Sequence, residues 1–118
     1  MARASYPRTP DGRYFVAKGR LWRCTDPSLP EDERRAAVKA LMRARNAVRL
    51  AKRDGAGEED GAMRAARAAV NEAKVALGER GPVWWTDGAE PQDRLSPANS
   101  TYSEWWASLG EDERAAGV

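Results

Sequence analysis

Between Glu31 and Leu77 small apolar residues recur at alternating intervals of three and four, and this pattern restricts the middle of the chain to two helices. Ala37, Leu41, Ala44, Val48 and Ala51 form the first stripe, and Met63, Ala66, Val70, Ala73 and Leu77 the second. The connector between them, DGAGEEDG over 54–61, is rich in glycine and acid, so the two stripes are predicted to face each other in an antiparallel hairpin. Ser28 with Glu31 three residues on reads as a capping box, Pro30 sits in the first turn, and Glu31, Asp32 and Glu33 suit the positive end of the helix dipole. We expect helices over 31–53 and 61–77, the first about 35 Å long.

Such rods bury little. Alanine supplies 22 of the 118 residues, isoleucine none, and Leu, Val and Phe only 7, 7 and 1. Each alanine contributes little area at about 25 cal/mol per Å². The missing bulk is expected from the five tryptophans, three tyrosines and one phenylalanine. Around Lys18-Gly19 the run RYFVAKGRLWRC (13–24) reads as a short β-hairpin, which needs one face, that of Tyr14 and Val16 or that of Phe15 and Trp22, laid on something else. Pro82 ends the second helix, a tryptophan loop follows over 81–98, and Ser100 or Thr101 caps a short helix over 101–109 carrying Tyr102, Trp105, Trp106 and Leu109. The expected fold is therefore mainly α with a small β element: an antiparallel two-helix hairpin with an N-terminal β-hairpin and an aromatic C-terminal loop plus short helix packed on it. We expect one domain over 13–109, a flexible leader over 1–12 and a flexible tail over 110–118.

Several chemistries are excluded within one chain. With no histidine and a single cysteine, Cys24, there is no Cys/His zinc site, no Cys-His nucleophile and no Ser-His-Asp triad. No phosphate loop or metal-ligand spacing is present, and no cofactor is expected. A lone cysteine, no basic-then-apolar signal sequence and no apolar run near membrane-spanning length lead us to expect a reducing, cytoplasmic setting without membrane insertion.

Charge is divided along the chain. Residues 1–53 carry 14 basic against 5 acidic side chains, and residues 54–118 carry 6 against 13. Either a basic surface awaits an anionic partner or the acidic half folds back and neutralises the basic one. On the first reading, Arg20, Trp22 and Arg23 on the hairpin join two helical rows, Arg35, Lys39, Arg43 and Arg45, Arg49, Arg53, in a basic face interleaved with an aromatic ring, suited to nucleic acid. The plainer reading is a solvated helix exterior in an arginine-rich composition.

At KGRLWRC (18–24) and KVALGERGPVWWTDG (74–88) the chain resembles a small family of bacterial proteins, over about Gly12 to Leu109 and including Tyr102, Trp105 and Trp106. The resemblance implies a hairpin, two helices and an aromatic tail, and no particular chemistry. Where that family has a more basic segment with a histidine ahead of the last aromatic helix, this chain has Gln92 to Ala98.

Within GPVWWTDG (81–88), Trp84, Trp85 and Asp87 offer a stacking and hydrogen-bonding contact for a partner, and adjacent residues in extended chain face opposite ways, so one ring is expected to point outward. The competing reading has both rings closing a thin core. Asp87, Glu79, Glu90 and Asp93 form the one concentrated carboxylate set near aromatics, compatible with glycoside chemistry given a pocket. Our sequence reading is a non-enzymatic binding protein contacting nucleic acid through the basic helix and hairpin. Alternatives are a protein-interaction or adaptor module using exposed tryptophan and the helical hairpin, with homo-oligomerisation through the opposite-charge halves, and, more remotely, a small carboxylate-based enzyme or sugar binder.

Overall fold

The computed structural model describes residues 6–118. In chain order the elements are strands β1 (Tyr14–Ala17) and β2 (Arg20–Arg23), helices α1 (Glu31–Arg53) and α2 (Gly61–Ala76), a short 3-10 turn (Pro97–Asn99), and helices α3 (Ser103–Ser108) and α4 (Glu111–Ala116). The fold is mainly helical with one two-stranded antiparallel sheet, as the sequence indicates. By contact the described residues divide into two compact units: those up to Cys24 join Trp85–Val118 in one, and Thr25–Trp84 form the other.

The helical unit is the antiparallel pair read from the stripes. Ala37 and Leu41 pack against Ala73 and Leu77 at one end, and Val48 and Ala51 against Met63 and Ala66 at the other, with Val70 touching both clusters. Met63 and Leu77 are essentially sealed from solvent, so the pair draws its bulk from its own ends. Of the five indoles only Trp84 belongs to this unit, where its ring lies against Gly78. The capping box does not form. Pro30 is the N-cap of α1 without a side-chain bond, because the Ser28 backbone N–H and hydroxyl both donate to Asp26 Oδ1 in a local Asx turn. Asp60 caps α2 by accepting from the Ala62 N–H, and Leu77 closes it one residue earlier than expected. Gly78 then takes φ +78°, the left-handed exit that lets Glu79 N–H reach Lys74 O.

In the other unit Tyr14 pairs with Arg23 and Val16 with Leu21, so these four share the buried face, while Phe15 and Trp22 share the half-buried one. Lys18 and Gly19 both adopt positive φ, the two-residue turn whose twist suits a hairpin. The residues just before the hairpin cover one outer edge and a segment distant in sequence covers the other. Val16 N–H donates to Pro7 O and Thr9 N–H to Tyr14 O along β1, while Leu21 N–H donates to Leu95 O and Arg94 N–H to Leu21 O along β2. Thr9 is buried, so residues 6–12 are structured where a loose leader was expected; the rest of that leader lies outside the described residues. The expected tail is also structured. Gly110 N–H bonds Glu113 at the start of α4, and at its end Gly117 O accepts from Gly19 N–H, with the Gly117 backbone so close to Val16 that a Cβ would lie 2.9 Å from Val16 Cγ1. These anchors carry too little apolar periodicity to show in sequence.

Candidate functional site

Tyr14, Trp85, Tyr102, Trp105 and Trp106 form a chain of rings that starts on the buried face of the β-hairpin. Trp85, only 8% exposed, packs edge-on to Tyr14 at 5.6 Å between centroids, and Tyr14 meets Tyr102 at 5.7 Å. Tyr102, Trp105 and Trp106 continue the chain of rings. Arg13 and Arg23 lie over the Trp85 ring at 4.7 and 5.7 Å. The outward ring expected from the tryptophan pair is absent: Trp85 is buried and Trp84 half-buried, because residue 84 closes the helical unit and residue 85 enters the aromatic cluster.

The same unit absorbs the basic side chains of the hairpin. Arg23, with a side chain 3% exposed, makes a bidentate pair with Asp93 at 3.2 and 2.6 Å. Arg13 binds Asp87, and this guanidinium holds the exposed carboxyl below its ordinary value of 3.8. Arg20 donates to Arg94 O, and Trp22 donates its indole N–H to Ala17 O beneath the Arg94 guanidinium. Burial opposes ionisation of Asp11, yet donors from the Tyr102 phenol, the Thr9 hydroxyl and the Arg13 backbone outweigh it and hold the carboxyl low. Burial, followed by donation to Asp11, pushes the Tyr102 phenol above 10.0. A shallow groove here is lined by Asp11, Arg13, Glu90, Gln92 and Tyr102. Its polar groups bond one another: Gln92 and Thr101 exchange two hydrogen bonds, and Tyr102 donates to Asp11.

The four carboxylates therefore do not form one set. Asp87 and Asp93 answer Arg13 and Arg23, whereas Glu79 lies in the helical unit and accepts from the Thr25 hydroxyl. Among the described residues no group of three His, Cys, Asp or Glu side chains is placed to hold a metal, and Cys24 is buried.

Helix α1 is different. From Arg34 to Arg53 it carries eight cations and no carboxylate. Arg35, Lys39, Arg43, Arg45, Arg49 and Arg53 are all exposed. Arg34 and Arg35 share Glu31, and Arg53 lies 3.7 Å from Asp54. Lys39, Arg43, Arg45, Arg49 and Lys52 make no ion pair among the described residues, the Arg49 guanidinium donating to Asn46 Oδ1. At 100° per residue, Lys39 and Arg43 take one flank of the outer face and Arg45 and Arg49 the other. Met42 and Asn46 lie between them, opposite the buried stripe, with Met42 65% exposed. Of the twelve sequence candidates, the six on α1 form one open surface; Arg20, Trp22, Arg23, Trp85 and Asp87 belong to the other unit, and Trp84 closes the helical one.

Sequence reasoning passed over Arg13 and placed Asp93 only in a carboxylate set, because their partners Asp87 and Arg23 lie 74 and 70 positions away and leave no local signal. Asn46 had a signal, being the one uncharged polar side chain between Glu31 and Arg53. Comparison with protein-family models, curated proteins and solved structures finds no match to the chain.

Proposed function

We propose that the protein binds nucleic acid through the outer face of α1. The observation that carries this reading is the run of eight cations, all but Arg34 exposed, without an intervening carboxylate, five of them outside any ion pair among the described residues. A rod that holds six such charges outward over about 27 Å neutralises phosphates without reorganising, and counterion release then drives binding. The hairpin is left out of this surface, since Arg23 is buried and answered by Asp93. Of the adaptor reading, the exposed indole is not found, each of the five being buried or half-buried.

Fluorescence anisotropy with labelled oligonucleotides tests the proposal. If six phosphates are contacted on a duplex, log affinity falls against log salt with a slope of about −5. Replacing Lys39, Arg43, Arg45 and Arg49 together by alanine removes most of that slope and weakens binding at least a hundredfold. Absence of binding at low salt, or unchanged binding by the quadruple variant, overturns it. Equal affinity for anionic phospholipid vesicles reassigns the face to membrane surfaces.

A further inference from the structure

We infer, resting on the reading above, that α1 recognises double-stranded DNA by seating its outer face in the major groove. Three observations point the same way. The first is the order of side chains around the helix: Lys39 and Arg43 on one flank, Arg45 and Arg49 on the other, and the uncharged pair Met42 and Asn46 between them, all exposed. A helix lying on a single backbone needs one cationic ridge. Over 39–49 two ridges flank an uncharged strip, with Arg35 and Arg53 in line with it two turns beyond Met42 and Asn46, and this middle stretch suits two phosphate strands with base edges between them. The dimensions agree, since an α-helix is about 10–12 Å across its side chains and the B-form major groove is about 12 Å wide.

The second observation is the chemistry of the strip. Asn46 carries the carboxamide whose paired acceptor and donor match the major-groove edge of adenine, and Met42 offers a flexible apolar chain to thymine methyl groups. In the free protein the Asn46 carbonyl accepts from Arg49, a bond that holds the amide on the outer face. The third is what the surface lacks. Single strands are held by bases stacking on aromatic rings, and residues 25–83 contain no Trp, Tyr or Phe. The A-form RNA duplex has a major groove too deep and narrow to admit a helix. The acidic first turn, Glu31 to Glu33, would repel phosphate and so limits the contact to the part of the helix beyond it.

The test compares a mixed-sequence DNA duplex, the same sequence as single-stranded DNA, the corresponding RNA duplex, and a DNA duplex whose pyrimidines carry bulky 5-substituents filling the major groove. The unmodified DNA duplex is expected to bind at least tenfold tighter than each of the other three. Met42→Glu, an exposed change that leaves the packed stripe intact, is expected to lower duplex affinity at least tenfold while helicity by circular dichroism is retained. Equal or tighter binding to the single strand, to duplex RNA or to the groove-filled duplex overturns this inference while sparing nucleic-acid binding. No binding to any of the four overturns both.

Discussion

The Arg23–Asp93 pair is the residue-scale contact with the most at stake. Its guanidinium is nearly inaccessible, lies over the Trp85 ring and is held by a bidentate pair with Asp93, so removing that carboxylate takes two charge-assisted bonds from a buried cation. Asp93→Ala is expected to destabilise the aromatic unit by about 3–5 kcal/mol, read from urea unfolding followed by tryptophan fluorescence. Pairs at the rim act through pH. Asp11 and Asp87 have folded values depressed below 3.8, so their contribution is complete above that value and is lost as pH falls through it and on through the folded values. Thermal unfolding should therefore move to lower temperature as pH drops below about 4, with Asp87→Asn flattening that dependence. Tyr102 works in the opposite sense: its folded value is raised, so the phenol stabilises below 10.0 and its contribution fades as alkali ionises it. Absorbance titration of the phenolates should show Tyr14 and Tyr102 both ionising above 10.0, and Asp11→Asn should bring the Tyr102 midpoint down.

At the scale of elements, the helical pair depends on a few bulky groups among alanines. Leu77 is 1% exposed and packs with Ala37, Leu41 and Ala73. Leu77→Ala is expected to cost about 2–5 kcal/mol in chemical denaturation, because alanine neighbours on stiff helices cannot collapse into the space. Periodicity made this element legible: five apolar positions at helical spacing recovered both helices and their facing, with α1 ending at Arg53 as expected. Caps were less so. Ser28 matched a capping pattern, yet Asp26, two residues earlier, competes for its hydroxyl and prevails. The β-hairpin was legible from Lys18-Gly19, but its edge partners were not, since Pro7, Leu95 and Gly117 reach it through backbone groups that every residue carries. Of the candidate site, the α1 rows followed from spacing, whereas the burial of Arg23 and Trp85 depends on which distant segment arrives.

For the whole molecule, the division of charge along the sequence is redrawn by the fold. The aromatic unit unites basic residues from the start with acidic residues from the end, giving 8 of each sign. The helical unit holds 12 basic and 10 acidic side chains, the acids gathered near its turns and the bases along α1. Arg20→Ala in the aromatic unit should therefore leave nucleic-acid affinity unchanged in the anisotropy titration. Lys39→Ala should weaken it severalfold on any sequence and reduce the salt slope by about 1. No helix among the described residues is long and apolar enough to cross a membrane.

The helical unit interrupts the other in sequence, and this sets an order of assembly on the ribosome. The rods use neighbours only and can close once Leu77 has emerged, early in the sense that local contacts form fast. β2 must wait for Leu95, and the tip of the hairpin for Gly117. Until residues 94 and 95 have emerged, β2 of the nascent sheet exposes a bare backbone edge to whatever strand comes by, a hazard that the folded protein no longer presents there.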